Sequence, residues 1–240
     1  MPLTPAQEES LDNMPWFALN TIHAPFAEGD GLALKYRRSM AVFCSTARLD
    51  ADGWKALGNL VKPGRAVVLF QPTPGPIPDD YEEVFRSSAW QMVADGHVRP
   101  RPVAGETPEL IELGDDDVDE MLALTALAEP GPFFQETHLL GTYLGVRENG
   151  RLVAMAGERL RTDHVAEISA VSTHPDVRRR GLGGLLTMAM VDVIRSRGDL
   201  AMLHVAKTNA AAIPLYEQLG FRIRGEVESV AARRPDASGT

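Results

Sequence analysis

The stretch His174–Ile194, HPDVRRRGLGGLLTMAMVDVI, decides how the rest of this chain is interpreted. Its three arginines, Arg178–Arg180, precede a Gly-Leu-Gly-Gly turn, after which apolar residues recur at helical spacing. The first N–H groups of a helix lack partners within it, and the helix dipole adds partial positive charge there. The glycines of Gly181–Gly184 would let a bulky anion approach the backbone. The stretch therefore predicts a pyrophosphate site, with an exposed basic turn as the alternative.

The composition is that of an acidic globular protein. Of 240 residues, 44% are hydrophobic and 24% charged, and the formal net charge is −9. This charge argues against non-specific binding to nucleic acid. No apolar run approaches the roughly 18 residues that span a bilayer, and the N-terminus does not resemble a signal peptide. The single cysteine, Cys44, excludes an intramolecular disulfide. We therefore expect a cytoplasmic protein with neither a membrane nor a nucleic acid as partner.

Two proline-rich segments, Gln71–Asp80 and Arg99–Glu109, are the most linker-like parts of the chain. The second is taken as a domain boundary. We expect a smaller N-terminal αβ domain over residues 1–100, a second domain over 101–230 and a flexible tail over 231–240. The first domain carries no cluster of reactive groups. One interpretation is a degenerate copy of the second domain, with a role in an acceptor pocket or an oligomer interface.

The second half has a sharper pattern, which predicts the element order β-α-α-β-β-β-α-β-α-β. Asn149-Gly150 lies between two strand-like segments and suits a tight hairpin turn, since both residues tolerate positive φ. A strand at 166–173, a helix and a strand at 201–206 form a crossover unit. Such a unit implies a parallel strand pair within a mixed sheet.

Three motifs in this half resemble the GNAT superfamily of acyl-CoA N-acyltransferases. Arg178, Gly181 and Gly183 match its signature of Gln or Arg, two residues, Gly, one residue, then Gly or Ala. The preceding EISAVSTHP fits the fourth strand of the family, and Asn209–Phe221, NAAAIPLYEQLGF, resembles its second conserved block. The resemblance covers Thr107–Glu228. Within the superfamily, GERLR and EISAVSTHP are most similar to the C-terminal domains of glycine N-acyltransferases.

The resemblance implies an α/β fold with a mostly antiparallel sheet, a splayed parallel pair and flanking helices. It also implies acetyl-CoA as acyl donor. The backbone of Val171–Thr173 would pair with the pantetheine arm, and the N–H groups of Arg179–Gly184 would hold the pyrophosphate. The expected coenzyme-binding residues are Val171, Ser172, Thr173, Arg178, Arg179, Arg180, Gly181, Leu182, Gly183, Gly184 and Asn209, of which Asn209 is also a candidate helix cap.

Two residues are candidates for proton transfer. Tyr216 falls at the position of the tyrosine that the family places near the coenzyme sulfur, where it would be the acid, although Pro214 could kink its helix. Glu167 matches the strand position of the catalytic glutamate of histone acetyltransferases, with a water chain or a solvated edge residue as alternatives. A backbone N–H, for which Val171 is chosen, could stabilise the oxyanion.

The remaining side chains support no rival chemistry. The histidines His138, His164, His174 and His204 could titrate near neutrality, but none has a second ligand at metal spacing, so no metal is expected. No nucleophile elbow or Cys-His pattern occurs, which favours direct transfer in a ternary complex.

The resulting hypothesis is an acyl-CoA-dependent N-acetyltransferase that acts on a primary amine of a small molecule or peptide. The alternative is a coenzyme-A-binding regulatory or scaffold module without turnover. The sequence leaves open the acceptor, the acyl chain length and a homodimeric assembly.

Overall fold

Two sheets organise the chain, which the computed structural model describes at residues 2–29, 31–72, 74–96 and 103–235. The helices are α1 (Pro5–Asp12), α2 (Met14–Asn20), α3 (Ala51–Leu60), α4 (Val118–Ala128), α5 (Leu182–Ser196) and α6 (Ala212–Leu219). The strands are β1 (Ala27–Gly29), β2 (Ala33–Tyr36), β3 (Cys44–Thr46), β4 (Ala66–Gln71), β5 (Glu82–Val93), β6 (Ile111–Glu112), β7 (Tyr143–Glu148), β8 (Arg151–Arg161), β9 (Val165–Thr173), β10 (Leu200–Ala206) and β11 (Arg222–Arg233).

The larger sheet has eight strands in the order β4-β11-β5-β10-β9-β8-β7-β6. Neighbouring strands in this sheet pair antiparallel, except for β9 and β10, which are parallel and are connected by α5. The mixed, mostly antiparallel fold expected from the sequence is therefore confirmed. The second predicted helix of this half is a short 3₁₀ turn, Thr137–Leu140.

The sheet continues across the expected domain boundary, which itself lies outside the described residues. β5, from the N-terminal half, pairs with β10 on one side and β11 on the other, and β4 pairs with β11. The regions 1–100 and 101–230 therefore share the larger sheet. The expected tail also begins later, because residues 231–233 continue β11.

The N-terminal region differs from a degenerate copy of the second half. Its own sheet, β1-β2-β3, is antiparallel throughout the described residues and has no splayed parallel pair. Helix α3 packs beside this sheet and β4 around the buried Trp54 and Leu57. Among the described residues, none of the helices combines the length and apolarity needed to cross a membrane.

Helix α5 covers one face of the large sheet because its apolar residues recur every four positions. Leu182, Leu186, Met190 and Ile194 are all buried. Alternate side chains of β10 enter the cores on the two faces of the sheet. Ala201 and Leu203 pack in the core under α5, while Leu200 and Met202 pack in a core shared with α1 and α2. The helix ends where Gly198 adopts a positive φ of 85°.

Candidate active site

The parallel strands β9 and β10 separate part of the way along their length. Their pairing runs from Val165–Leu200 to Ile168–Leu203 and stops there, after which β10 continues with β5 as its partner. Opposite, the register between β9 and β8 shifts, and Ala170 has a φ of +53°. Such a bulge bends a strand and increases its twist. The result is a fork whose edge on β9 includes Val171, Ser172 and Thr173.

A cleft of about 560 Å³ lies beside the mouth of this fork, at the start of α5. Thr173 forms one wall, and Val103 with Ala104 forms another, fixed by the Ala104 N–H that donates to the Arg180 carbonyl at 3.0 Å. The sequence-predicted residues that line the cleft are Thr173, Arg178, Arg179, Arg180, Gly181, Leu182, Gly183 and Gly184.

The backbone at this helix start presents unpaired donors. Arg179 and Gly181 have positive φ values of 65° and 89°, so the chain curls before the helix begins. Among the described residues, the N–H groups from Arg179 to Gly184 have no acceptor, and the first bond of the helix is Leu185 N–H to the Gly181 carbonyl at 3.0 Å. Successive free N–H groups in such a curl form an anion-binding concavity.

The three arginines have different surroundings. Arg178 Nε donates to the Thr173 carbonyl at 3.3 Å, which ties the loop to the end of β9. Arg180 forms a two-pronged ion pair with Glu148, at 2.7 and 3.1 Å. Arg179 is exposed and makes no ion pair within the described part of the chain. Among the described residues, Arg179 is thus fully free for an anion in the cleft, and the terminal nitrogens of Arg178 are also without a partner.

Helix α6 brings Tyr216 to the same side of the sheet. Asn209 Oδ1 accepts the Ala212 N–H at 3.1 Å in the turn before the helix, while its predicted contact with the coenzyme stays a prediction. The helix begins at Ala212, so Pro214 lies in the first turn, where no intrahelical donor is lost. Pro214 therefore requires no kink in this helix. Leu215, the residue before Tyr216, lines the cleft.

The Tyr216 ring is half-buried and lies edge-on to Phe221, with ring centroids 5.9 Å apart. Its hydroxyl has no hydrogen-bond partner among the residues that the structure describes. Burial raises the pKa of Tyr216 to about 12. The phenol is therefore protonated at neutral pH and has a proton to give.

Glu167 lies on β9 just before the fork, but its carboxylate is fully engaged. Arg159 donates to both of its oxygens, at 2.9 and 2.5 Å, and His204 Nδ1 lies 2.8 Å from Oε1. Burial raises the pKa of this carboxyl, but Arg159 and His204 outweigh burial and lower the pKa to about 2. A carboxylate with this pKa is a poor base near neutrality, so its surroundings argue against the expected direct role.

The partners of Glu167 were missed by the sequence analysis. His204 Nε2 lies 3.2 Å from Gln91 Nε2, which can only donate, so the ring accepts there and donates to Glu167 through Nδ1. Burial lowers the pKa of His204, which keeps the ring neutral despite the nearby carboxylate. The signal available in the sequence was the pairing of Arg159 and Glu167 across one hairpin.

A narrow crevice, too tight for a water molecule, lies at the fork on the side opposite α5. Phe133, Tyr143, Arg159, Ser169 and Ala170 line it. The phenol of Tyr143 donates to the Glu158 carbonyl at 2.8 Å, and the Phe133 ring stands edge-on to Tyr143. These side chains fill the crevice, so it holds no space for a solvent molecule or an acceptor.

The other candidate histidines lie away from the cleft. His138 Nε2 pairs with Asp115 at 2.7 Å, and His174 Nδ1 accepts the Asp176 N–H at 3.3 Å. Neither these two nor His164 lines the cleft. In the described ranges, no group of three or more His, Cys, Asp or Glu side chains is placed to hold a metal ion.

Comparisons with known proteins agree with this geometry. Residues 143–230 match the family model described as FR47-like protein. A mycothiol acetyltransferase of Thermobispora bispora is 47% identical over 58 residues, 24% of this chain and 20% of that protein. The ribosomal protein bS18-alanine N-acetyltransferase of Escherichia coli is 39% identical over 75 residues, 31% of this chain and 50% of that protein. The chain thus spans half or less of these curated relatives.

A solved structure extends the likeness to almost the whole chain. It is an acetyltransferase assigned to the GNAT family, from Novosphingobium aromaticivorans, with 33% sequence identity and a TM-score of 0.83. The match covers 93% of this chain and 98% of that one. With the fork, the cleft and the sheet order already in place, this identity over nearly full length shows that the chain belongs to the GNAT superfamily of acetyltransferases.

Proposed function

We propose that this protein is an acyl-CoA-dependent N-acetyltransferase that moves the acetyl group of acetyl-CoA to a primary amine. The observation that carries the proposal is the row of unpaired N–H groups from Arg179 to Gly184, which faces a cleft beside the fork. Relatives named for acetyl transfer support it, and the name of the Escherichia coli relative specifies transfer to nitrogen.

The residues at the cleft fit the coenzyme in size and charge. The free N–H groups would hold the pyrophosphate oxygens, and the Arg179 guanidinium would add a cation that no other side chain occupies. The pantetheine arm would run along Val171–Thr173, on the edge of β9 that β10 leaves open. Ser172 has a buried hydroxyl without a partner among the described residues, which such a ligand could satisfy.

The acyl group would then lie in the fork, where both bond changes take place. The amine nitrogen attacks the thioester carbonyl carbon, and the Val171 N–H stabilises the resulting oxyanion. When the C–S bond breaks, the Tyr216 hydroxyl gives its proton to the sulfur and later regains one from water. With a pKa of about 12 the phenol is a weak acid, so it gives up its proton only to the thiolate that forms as the C–S bond breaks.

The ammonium proton of the acceptor needs a separate route. Glu167 is committed to Arg159 and His204, and its pKa of about 2 leaves it little affinity for a proton. We propose that a water molecule in the open part of the fork removes the amine proton. Glu167 then acts by fixing Arg159, which lines the crevice next to Ser169 and Ala170.

The test is an assay of free thiol released from acetyl-CoA across a panel of small-molecule and peptide amines. Background is low, because the single cysteine, Cys44, is buried. We expect amine-dependent release that Tyr216→Phe diminishes while coenzyme A still binds. Binding of coenzyme A without transfer to any amine would favour the alternative, a coenzyme-A-binding module without turnover. Absence of binding would refute both. The same assay with longer acyl-CoAs measures which acyl chain length the protein transfers.

Three finer expectations remain part of the proposal. The acceptor is a small-molecule or peptide amine, the protein works in the cytoplasm, and a homodimer is one of its assemblies. Sedimentation of the purified chain measures the last of these directly.

A further inference from the structure

A second cavity lies in the N-terminal half, far from the cleft in the sequence and sharing none of its lining residues. Its volume is about 460 Å³, within the usual range of small-molecule pockets. The walls come from three elements: the small sheet with β2 and β3, the segment that follows α3, and the edge strand β4. We call it the basic pocket, because its charged lining residues are Lys35, Arg38, Lys62 and Arg65.

The charge of the basic pocket is not balanced by nearby acids. No aspartate or glutamate lines it. Lys35 is paired with Glu28. The side chains of Arg38, Lys62 and Arg65 are exposed and have neither an ion pair nor a hydrogen bond within the described ranges. Gathering unpaired cations around one concavity costs repulsion, which an anion would remove. A group of unpaired cations stands out in a chain whose net charge is −9, because acidic side chains outnumber basic ones elsewhere.

The interior of the basic pocket is apolar. Val42, Leu60, Val61 and Val68 line it and are half-buried, so each keeps a surface that no protein atom covers. Cys44 also lines it and accepts the Val68 N–H through Sγ at 3.4 Å. Burial raises the pKa of the Cys44 thiol to about 11, so this residue adds a neutral surface to the interior.

We infer that the basic pocket binds an organic anion with an apolar body, of the class of medium-chain aliphatic carboxylates. Arg38, Lys62 and Arg65 hold the carboxylate at the rim, where guanidinium and ammonium groups provide charge-assisted hydrogen bonds. The aliphatic body covers the valines and Leu60. A simple inorganic anion would leave the interior uncovered, and a neutral lipid would leave the cations unpaired. The inference is independent of acyl transfer.

Isothermal titration calorimetry with octanoate tests it, with 1-octanol and inorganic phosphate as comparison probes. Saturating coenzyme A is present, so that octanoate does not report on the acyl cleft. We expect octanoate to bind at least about tenfold more tightly than either probe. The reason is that 1-octanol lacks the carboxylate and inorganic phosphate lacks the apolar chain. The double variant Lys62→Glu/Arg65→Glu should weaken octanoate binding at least about tenfold, through loss of attraction and added repulsion.

The matched control is Lys55→Glu, which reverses an exposed charge on α3 outside the basic pocket. It should leave the affinity for octanoate unchanged. Because the side chains of Lys62 and Arg65 are exposed and make no hydrogen bond or ion pair within the described residues, the double variant is expected to fold, and circular dichroism checks this. The only thiol of the chain provides a local readout: octanoate should slow the chemical labelling of Cys44.

Several results would overturn the inference. One is the absence of octanoate binding up to about 10 mM, the weak end of specific recognition. Others are an affinity that the double variant leaves intact, an equal loss in Lys55→Glu, or a phosphate affinity equal to that of octanoate. Unchanged labelling of Cys44 at saturating octanoate would place the ligand elsewhere and count equally against it.

Discussion

Replacing Gly183 by alanine separates the coenzyme cleft from the stability of the fold. A Cβ at this position would lie 3.7 Å from Thr173 Oγ1 and 3.7 Å from Val171 Cγ1, which are ordinary contact distances. The protein can therefore accept the methyl group without moving. The same methyl would project into the cleft that Gly183 and Thr173 line, next to the free N–H groups.

The substitution should affect the stability of the fold and the affinity for coenzyme A in opposite directions. Alanine is a better helix former than glycine by up to about 1 kcal/mol, so the free energy of unfolding should stay the same or rise. In the cleft, the methyl would hold a phosphate oxygen away from its N–H donors. A hydrogen bond to a charged group contributes about 1.5–3 kcal/mol, which corresponds to about 10- to 150-fold in the dissociation constant of coenzyme A.

Calorimetric titration with coenzyme A and urea unfolding measure these two quantities on the same protein. Gly225→Ala is the control, since a Cβ there meets nothing within 4 Å and the residue lies on β11, outside the cleft. It should leave coenzyme affinity unchanged. If Gly183→Ala binds coenzyme A within about twofold of the parent chain, below any single charged hydrogen bond, the pyrophosphate does not lie on this helix start.

Three further changes test individual side chains. Tyr216→Phe should lower kcat by about 10- to 1,000-fold with little effect on the affinity for coenzyme A, as measured by steady-state kinetics and titration; an unchanged kcat removes Tyr216 from the mechanism. Arg179→Ala should weaken coenzyme A binding about 2- to 5-fold at low salt and less at high salt. Arg180→Ala should in addition leave the Glu148 carboxylate without its ion-pair partner. An effect of Arg179→Ala that does not change with salt would contradict an electrostatic role for Arg179. Glu167→Gln should lower the free energy of unfolding at pH 7 by about 3–5 kcal/mol, because it leaves Arg159 buried without a counter-charge. The native pKa of Glu167 is depressed, so its stabilisation is present above the unfolded value and is lost as pH falls toward about 2; urea unfolding should therefore show the two proteins converging in acid, and parallel curves would refute the ion pair.

The local features of the second half could be predicted because short segments determine them. The hairpin turn needs positive φ at two adjacent positions, and Asn149 and Gly150 adopt 52° and 80°. The α5 helix follows from a regular apolar spacing with a glycine at each end. In both cases, the residues that decide the structure are neighbours in the chain.

The environment of Glu167 could not be predicted in the same way. Its partner Arg159 comes from β8, and the register between β8 and β9 shifts twice between Met155 and Arg161. A shift of one residue moves a side chain to the other face of the sheet, so spacing alone cannot say which charges meet. The same limit applies to Arg180, whose guanidinium is drawn to Glu148 by tertiary contact.

The expected domain boundary rests on local composition alone. Both 71–80 and 99–109 are rich in proline, and the second segment is the expected boundary between two domains. Local composition carries no information about which strands pair at long range, and β5 pairs on both sides with strands of the other half. The part of the molecule that sequence patterns describe least well is thus the centre of its larger sheet.

The position of β5 also governs how this chain reaches its native state. Gln91 and His204 meet across β5 and β10 although 113 positions separate them. During synthesis, β5 leaves the ribosome early and must wait for both of its neighbours, β10 and β11, with its backbone donors unpaired. Pairing strands so far apart in the sequence costs chain entropy before any contact between them forms. Such pairings therefore slow folding. The sheet is therefore completed only once β10 and β11 have been synthesised, and release of the nascent chain before that point would expose an unprotected strand to aggregation.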